Sequence, residues 1–248
     1  MGRLKGKVAV ITGGAGGMGS KHAEIFIREG AKVVIADLGS SNGKKLVEDL
    51  GDQALFVELD VTSEASWESL VKETEDKFGP ISVLINNAGI ANGTPLESTS
   101  VEDFKRMLNI NLTGTFIGIK KVVPSMKKAD KGSIINISSG LGLIGAKGNT
   151  AYIASKFGMT GLTKAVAADV AEYGIRVNSV HPGAIKTGML ELESNRELME
   201  QTKASVPLKR IAEPEEISNL VLFLASDESS YSTASSFIAD GGTTQILY

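Results

Sequence analysis

Cysteine is missing from the sequence. Its absence excludes disulfide bonds, thiol catalysis and cysteine-liganded metal sites, and it suits a reducing compartment. Histidine is scarce too: only His22 and His181 are present, and their separation in the chain does not indicate a zinc site. We therefore expect a protein that holds no metal ion.

An excess of charge of one sign is also missing. The chain has 26 basic and 29 acidic residues, for a net charge of −3. No basic stripe is visible, so we expect no nucleic-acid partner. No apolar run is long enough to cross a membrane, and the first residues lack the apolar segment of a signal peptide. We therefore expect a cytoplasmic protein without a membrane anchor.

Apolar residues, by contrast, are plentiful enough for a packed core. They make up 42% of 248 residues, which suits one α/β domain over residues 1–248. Short runs of apolar β-formers alternate with helical patterns, which is typical of a doubly wound, mainly parallel sheet, here of seven strands. The predicted strands are 8–12, 32–37, 54–58, 83–86, 133–139, 176–181 and 236–239.

A glycine-rich segment, Gly13-Gly-Ala-Gly-Gly-Met-Gly19, joins the first predicted strand to the first helix. Its spacing fits the Gly-x-Gly-x-x-Gly dinucleotide fingerprint, and a strand, a helix and a second strand flank it as that fingerprint requires. Such a turn directs free N–H groups of the helix at a diphosphate, and glycine lets the backbone approach the phosphates. The alternative is a tight loop whose glycines serve packing alone.

Asp37 ends the second predicted strand, where a carboxylate can accept hydrogen bonds from both ribose hydroxyls and would repel a 2′-phosphate. Residues 13–19 contain no Arg or Lys to bind that phosphate, so we predict that NAD(H) is preferred over NADP(H). Lys44 and Lys45, just downstream, count against this preference. Asp60, after the third strand, could reach an adenine amino group or could equally be a turn residue.

Asparagines interrupt two apolar segments. Asn86-Asn-Ala-Gly89 follows the fourth strand, at the edge where doubly wound sheets bind ligands, although an Asn/Gly turn is the simpler interpretation. Asn111 lies inside a long helix predicted from Thr99 or Ser100 through Lys127, where asparagine is unfavourable by propensity. A buried polar contact would explain Asn111 as well as a function would.

Tyr152 and Lys156 lie one turn apart on a predicted helix that Asn149 or Thr150 could cap. A free tyrosine hydroxyl has a pKa of about 10, and an ammonium one turn away should lower that pKa. The pair could then exchange a proton with a substrate oxygen, which Ser139, delivered by the fifth strand, could hydrogen-bond. The alternative is an amphipathic helix on which the tyrosine packs and the lysine is solvated.

The substrate region is predicted from apolar residues near the cleft. They favour a hydrophobic ketone or secondary alcohol, such as a steroid, although each could equally pack a lid. Residues 188–210 are predicted to form an amphipathic flap over the cleft, with an ordinary packed helix as the alternative. The apolar residues are Leu141, Leu143, Ile144, Met189, Leu190 and Leu192.

Taken together, these motifs resemble the short-chain dehydrogenase/reductase family, over essentially the whole chain. The greatest similarity is to bacterial 3α/20β-hydroxysteroid dehydrogenases and related secondary-alcohol dehydrogenases. The resemblance implies a Rossmann fold and hydride transfer between a nicotinamide and a ketone or secondary alcohol. The motifs are Thr12-Gly13-x-x-x-Gly17-x-Gly19, Asn86-Asn-Ala-Gly89, Asn111, Ser139, Tyr152-x-x-x-Lys156 and Pro182-Gly183.

The resemblance also implies a role for each matching residue. Tyr152 would be the general acid/base, Lys156 would lower its pKa and hold the nicotinamide ribose, and Ser139 would polarise the carbonyl. Asn111 would anchor a water that links Lys156 to solvent. The implied cofactor-binding residues are Gly13, Gly16, Gly17, Met18, Gly19, Asp37, Leu38, Asp60, Val61, Asn87, Ala88, Gly89, Tyr152, Lys156, Pro182, Gly183, Ile185 and Thr187.

The chain departs from the family pattern at two positions. Gly16 stands where many members carry a polar or basic residue, and Ala234 follows Thr233 where many have glycine. Neither change touches the chemistry, but the second could alter an interface near the C-terminus. The resemblance implies a homotetramer or homodimer formed through the helices that carry Asn111 and Tyr152.

Other functions remain as alternatives. A β-ketoacyl reductase acting on an acyl carrier shares the chemistry, but it would usually prefer NADPH and carry a basic patch, and we see neither. A non-catalytic NAD-sensing regulator would be expected to lose Tyr152 or Lys156, and both are present. A sugar-nucleotide epimerase is disfavoured because 248 residues leave little room for its extra substrate region.

Overall fold

The structure is a computed structural model that describes residues 2–187 and 196–246. In this part of the chain seven parallel strands form one sheet in the order β3-β2-β1-β4-β5-β6-β7. The strands are β1 (Val8–Thr12), β2 (Lys32–Asp37), β3 (Ala54–Glu58), β4 (Val83–Asn86), β5 (Gly132–Ile137), β6 (Ile175–Pro182) and β7 (Ser236–Ala239).

Helices cover both faces of this sheet. The helix α1 and the last helix pack on one face, and α3, α5 and α6 pack on the other. They are α1 (Gly17–Arg28), α2 (Gly43–Leu50), α3 (Glu64–Phe78), α4 (Val101–Leu108), α5 (Gly114–Lys128), α6 (Thr150–Val170), α7 (Arg196–Ser205) and α8 (Pro214–Ala225).

The two hydrophobic cores are separated by the sheet. Along β1, Ile11 packs in the core with Phe26 of α1, and its neighbour Val10 packs in the opposite core with Trp67 of α3. All five side chains of β1 are buried. This double burial explains why the strands read as unbroken apolar runs rather than as alternating patterns.

The predicted strands and their parallel arrangement are confirmed, and each of the six strand pairs is parallel rather than only most of them. The long helix differs from the prediction. Ser100 caps α4 by accepting a hydrogen bond from the Asp103 N–H, but α4 and α5 are joined by a π-helical turn over Asn109–Thr113. A π turn inserts one extra residue into the helix, and such turns are frequent at functional sites.

The start of α6 corrects a second prediction. Asn149 occupies the position before the first helical residue, but its side chain donates to the Lys147 carbonyl oxygen and accepts no bond from the helix. The start of α3 is capped by a side chain, because the Ser63 hydroxyl accepts from the Ser66 N–H.

The strand order reverses between β1 and β4, and doubly wound sheets bind ligands beyond the carboxyl ends of the strands at that point. The glycine-rich turn follows β1, Asn87 follows β4, and Ser139 and Gly183 follow β5 and β6. The sheet therefore brings the predicted motifs to one edge. Within the described residues, no helix is long and apolar enough to cross a membrane.

Candidate active site

The glycine-rich turn after β1 is shaped by close approach of the backbone. A Cβ atom at Gly19 would lie 2.1 Å from the Gly13 carbonyl oxygen and 2.9 Å from Nδ2 of Asn87. Gly17 has a φ of +52°, in the left-handed region that side chains disfavour. A Cβ at Gly16, by contrast, would meet open space. The turn therefore needs glycine at 17 and 19 and leaves the space over Gly16 free.

The start of α1 fits a dinucleotide diphosphate. Gly17 and Met18 lie in the first turn of α1, where backbone N–H groups have no partner within the helix. Thr187, beyond β6, approaches the same turn, because a Cβ at Gly17 would lie 3.7 Å from the Thr187 side chain. Free N–H groups at a helix N-terminus attract phosphate, so Gly16, Gly17 and Met18 are placed to hold one.

Asp37, at the end of β2, faces this turn. Its Oδ2 accepts from the Ala15 N–H at 3.0 Å, and its Oδ1 accepts from the Leu38 N–H at 2.8 Å. The side chain of Leu38 is more than half exposed. The carboxylate is thus fixed beside the glycine-rich turn, where the sequence places an adenosine ribose.

Asp60 and Val61 make contacts typical of a turn. Oδ1 of Asp60 accepts from both the N–H and the hydroxyl of Thr62, and the Val61 carbonyl accepts from the Trp67 indole at 3.0 Å. These contacts favour the interpretation of Asp60 as a turn residue over its interpretation as an adenine contact. Oδ2 of Asp60 takes part in neither of these bonds.

Thr12 joins the glycine-rich turn to the segment after β4, a role that the sequence motifs did not assign. Its hydroxyl oxygen accepts from the N–H groups of Asn87 and Ala88, both at 3.0 Å. In turn, Asn87 Nδ2 donates to the carbonyl oxygens of Thr12 and Gly13. The signal for this role in the sequence was that Thr12 is a polar residue at the end of the otherwise apolar strand β1.

Asn111 is buried inside the π turn and holds the segment after Gly89. Its Oδ1 accepts from the Ile90 N–H at 2.9 Å, and its Nδ2 donates to the Ile90 carbonyl at 2.9 Å and lies 3.1 Å from the Ser155 hydroxyl. A Cβ at Gly89 would lie 3.2 Å from Asn111 Oδ1 and 3.8 Å from Lys156 Nζ. The extra residue of the turn thus brings Asn111, Gly89 and Lys156 together.

Lys156 is buried, with 4% of its surface exposed. Its Nζ donates to the Ile137 carbonyl oxygen at 2.8 Å and lies 5.6 Å from the centre of the Tyr152 ring. Burial lowers the pKa of Lys156 to about 8. The ammonium group therefore still predominates at neutral pH.

Tyr152 does not have the lowered pKa that the sequence led us to expect. Burial raises the pKa of its hydroxyl, and a side-chain hydrogen bond with Ser139 opposes this increase only in part. The net direction is opposite to the one expected from Lys156 alone. The reason is that desolvation of the phenolate dominates, while the ammonium is bonded to the Ile137 carbonyl.

Ser139 is held in an extended conformation just after β5. Its Oγ accepts from the Leu141 N–H at 3.1 Å, which leaves its proton for Tyr152. Gly142 brings the following loop against α6, because a Cβ there would lie 2.5 Å from Ser138 Oγ and 3.0 Å from the Lys156 carbonyl oxygen. Ser139, Tyr152 and Lys156 therefore meet at one point.

A buried chain of side-chain hydrogen bonds joins the strands to α6 here, and no sequence motif predicted it. Asn86 donates to Asn136 Oδ1 at 2.8 Å, and Asn136 Nδ2 donates to the Thr163 hydroxyl at 2.9 Å. These bonds tie β4 to β5 and β5 to α6. The helix that carries Tyr152 is thus fixed to the strands that precede Asn87 and Ser139.

The segment after β6 is fixed to neighbouring backbone. Pro182 ends the strand, and the Gly183 N–H donates to the Ala239 carbonyl at 3.1 Å. Ile185 is buried and pairs with Ala212 in an isolated bridge. This segment leads to Thr187, so it runs from the β6 edge towards the glycine-rich turn.

The predicted substrate region is described only in part. Leu141 and Leu143 are half-buried, and Ile144 is more exposed. Met189, Leu190 and Leu192, with the first part of the predicted flap, lie outside the described residues. Across residues 2–187 and 196–246, His, Asp and Glu side chains form no cluster that could hold a metal ion.

Known proteins are similar to this chain over nearly its full length. A family model described as "Enoyl-(Acyl carrier protein) reductase" matches residues 13–244. A 3-alpha-(or 20-beta)-hydroxysteroid dehydrogenase of Mycobacterium tuberculosis is 48% identical, over 98% of this chain and 91% of the relative.

Two further relatives are dehydrogenases by name. Trans-4-hydroxycyclohexanecarboxylate dehydrogenase of Sinomonas cyclohexanicum is 47% identical, over 98% of this chain and 94% of its own. NADP-dependent (R)-specific alcohol dehydrogenase of Lentilactobacillus kefiri is 42% identical, over 98% of each chain. With these matches and the site described above, the chain belongs to the short-chain dehydrogenase/reductase family.

Proposed function

We propose that this protein transfers a hydride between NAD(H) and a hydrophobic ketone or secondary alcohol. Its family and its relatives support oxidoreduction of the CH–OH group in general. The observation that carries the proposal is the meeting of Ser139, Tyr152 and Lys156 at the sheet edge beside a turn that fits a dinucleotide diphosphate.

The side chains divide the proton chemistry between them. A bound nicotinamide supplies or accepts the hydride. In reduction, Tyr152 gives its proton to the carbonyl oxygen, which the Ser139 hydroxyl also contacts. The raised pKa of Tyr152 keeps the hydroxyl protonated and ready to donate, and the Lys156 ammonium favours the phenolate that remains. Oxidation of an alcohol uses the same groups in the reverse direction.

The preference for NAD(H) rests on Asp37. Its carboxylate is fixed beside the glycine-rich turn, where it would accept from ribose hydroxyls and repel a 2′-phosphate. Lys44 and Lys45 lie nearby in the chain, and one relative is NADP-dependent by name. Comparing the affinities for NADH and NADPH therefore tests the role of Asp37 directly.

The substrate class is proposed from the loop after Ser139 and from the relatives. Leu141 and Leu143 present half-buried apolar side chains next to the proposed catalytic serine. The relatives are named for a steroid and for a cyclohexane ring. We therefore propose an alicyclic or steroid-like ketone.

The test is a ketone panel read by the absorbance of the reduced nicotinamide. The panel runs from small diketones through cyclohexanones to ketosteroids, each with NADH and with NADPH. We expect turnover with NADH on one hydrophobic ketone class. Tight binding of NADH without turnover on any ketone or alcohol would contradict the proposal and favour the NAD-sensing regulator.

An acyl-carrier-linked reductase is the second candidate, because the matching family model carries that description. It shares the site and differs in the substrate and in its expected preference for NADPH. Adding β-ketoacyl and enoyl thioesters to the panel separates the two candidates. Faster turnover of a thioester with NADPH than of any free ketone with NADH would replace our proposal with this one.

Self-association through α5 and α6 is part of the proposal. Phe116 of α5 and Phe157 of α6 are 48% and 45% exposed in the single chain. Large aromatic side chains at this exposure are typical of subunit interfaces. We expect a dimer or tetramer by light scattering, and the Phe116→Glu variant should be shifted towards the monomer.

A further inference from the structure

His181 has no part in the chemistry described above, yet it contacts the proposed catalytic serine. It lies near the end of β6 and is completely buried. Its Nδ1 is 2.9 Å from the carbonyl oxygen of Ser139. A carbonyl oxygen can only accept a hydrogen bond, so Nδ1 carries the proton of the neutral ring.

The other ring nitrogen is also used. Nε2 lies 2.8 Å from the hydroxyl of Ser179, which donates to it because Nε2 is the unprotonated nitrogen. The Ser179 oxygen in turn lies 3.3 Å from the hydroxyl of Ser236, an exposed residue of the edge strand β7. A line of hydrogen bonds thus runs from β7 through β6 to the backbone of Ser139.

The charge on the ring agrees with this pattern. Burial lowers the pKa of His181, the Lys156 ammonium lowers it further, and the Ser139 carbonyl opposes both effects. A neutral imidazole has one donor and one acceptor nitrogen, which match the Ser139 carbonyl oxygen and the Ser179 hydroxyl.

The bond from His181 differs in kind from the other bonds that fix Ser139. Leu141 donates to its Oγ and Gly142 donates to its carbonyl oxygen at 2.9 Å, but both lie in the same short loop as Ser139. His181 belongs to the next strand of the sheet. The backbone already joins β6 next to Ser139, where the Ser138 N–H donates to the Val180 carbonyl oxygen at 2.8 Å. The bond from His181 adds a side-chain contact to Ser139 itself, and with it fixes the direction of the Ser139 hydroxyl towards Tyr152.

We propose that His181 is a positioning residue for Ser139, with Ser179 fixing the ring tautomer that this role requires. The proposal rests on the proposed catalytic role of Ser139. A displacement of about 1 Å at a reacting group can lower a rate about 100-fold, so a distant hydrogen bond of this kind can matter.

Two substitutions of His181 make a matched pair. Asparagine places an amide nitrogen near the position of Nδ1 and can donate to Ser139, whereas glutamine places its nitrogen near Nε2, on the side of Ser179. We expect His181→Asn to keep kcat within about threefold of the wild type. We expect His181→Gln to lower kcat about 10- to 100-fold with an unchanged Kd for the dinucleotide. Equal activity of the two variants would overturn the proposal.

The Ser139→Ala background separates positioning from a general structural role. If His181 acts through the Ser139 hydroxyl, adding His181→Gln to Ser139→Ala should lower kcat no further. A full additional decrease would overturn the proposal. If Ser139→Ala by itself kept full activity, the proposed role of Ser139 would be wrong. A large loss of kcat in Tyr152→Phe would then show that the proposed reaction still stands and that the failure concerns Ser139 alone.

Ser179→Ala serves if His181→Gln does not fold. This variant keeps the imidazole and removes only the donor to Nε2. We expect a smaller decrease of kcat than for His181→Gln, about 3- to 10-fold, again without a change in dinucleotide Kd. Wild-type kcat in Ser179→Ala, with or without a change in thermal unfolding, would overturn the proposal that Ser179 fixes the tautomer needed to position Ser139.

Discussion

The two halves of the carboxyl edge of the sheet are built in different ways. The nucleotide half, beyond β1, β2 and β3, consists mainly of glycine backbone and of carboxylates that accept from backbone N–H groups, as Asp37 does from Ala15 and Asp60 from Thr62. The reaction half, beyond β4, β5 and β6, consists of side chains bonded across long stretches of chain. Asn111 reaches Ile90, and His181 reaches Ser139 from 42 residues away.

The difference shows which kind of site a sequence motif can describe. The nucleotide half depends on local spacing, so the pattern of glycines predicts its shape. The reaction half depends on which distant residues the sheet brings together. Substitutions in the two halves should therefore have separate effects, on dinucleotide binding in one half and on the chemical step or the fold in the other.

Tyr152→Phe should give the largest effect and separate the two halves most clearly. Removing the hydroxyl removes the proton donor, so we expect kcat to fall by about 10²- to 10⁴-fold while dinucleotide binding stays measurable. Ketone reduction and a fluorescence titration with NADH measure the two quantities. Tyr173→Phe, on a partly exposed tyrosine outside the site, is the matched control. Unchanged turnover in Tyr152→Phe would rule out the proposed acid.

Asn111→Ala tests the scaffold of the reaction half. It leaves the partly buried N–H and carbonyl of Ile90 without the partners that Asn111 provides, so the free energy of unfolding should decrease by about 2 to 4 kcal/mol. Asn109→Ala makes the same chemical change at an exposed position of the same turn and should stay within about 0.5 kcal/mol. Urea unfolding measures both. Similar losses in the two variants would mean that Asn111 has no special role.

Asp37→Asn tests the nucleotide half. Loss of a charged acceptor of the ribose hydroxyls should weaken NAD binding by about 1.5 to 3 kcal/mol, or about 10- to 100-fold, and should favour NADP in relative terms. Glu58 pairs with Asp37 across the β2–β3 register and is exposed, so Glu58→Gln is the matched control. If the ratio of the two Kd values moves equally in both variants, general charge rather than a ribose contact sets the preference.

Acid should destabilise the helix that follows the glycine-rich turn. His22 of α1 is fully buried, and its Nε2 has no partner among the described residues. Burial lowers its pKa from 6.5 to about 3. Between these values the unfolded chain binds a proton that the folded protein excludes, so stability is lost as the pH falls, by up to about 1.4 kcal/mol per pH unit.

His22→Gln should make this loss of stability less steep. His181 contributes in the same direction because its pKa is lowered too, so only part of the loss should disappear. Urea unfolding of both proteins at about pH 7 and about pH 5 gives the comparison. Parallel curves for the variant and the wild type would show that His22 does not exclude the proton.

The smallest effect is expected at Ala234, which precedes β7 at the opposite, amino end of the sheet. Ala234 adopts a φ of +57°, which glycine tolerates better than alanine. Its N–H donates to the Val177 carbonyl at 2.8 Å, which holds it in this conformation. Ala234→Gly should raise the free energy of unfolding by about 0.5 to 1 kcal/mol. A lower thermal midpoint would show that the strain is relieved elsewhere.

The sequence predicted the sheet well because parallel strands buried on both faces are continuous apolar runs, as in β1 and β5. It also predicted the edge to which the motifs are brought. It did not predict the π turn. Asn111 bonds Ile90 and Ser155, and these residues come close to it only in the folded protein. The raised pKa of Tyr152 was missed for a similar reason, since burial is a property of the packed molecule.

Several predictions from the sequence stay predictions. One is the flap predicted over residues 188–210. Its residues 188–195 lie outside the described residues, and α7 forms most of the rest. The cytoplasmic location, the water held by Asn111 and the number of subunits are likewise untested. Each of them depends on molecules other than this single chain.

The π turn over Asn109–Thr113 also limits how the length of this chain can vary. Deleting one residue of this turn other than Asn111 would let an ordinary α-helix run from Val101 to Lys128, and α4 would rotate by about 100° relative to α5. Asn111 would then no longer face Ile90. Exposed loops of the protein can gain or lose residues with little consequence, but here a single deletion would dismantle the support of the site without changing any proposed catalytic side chain.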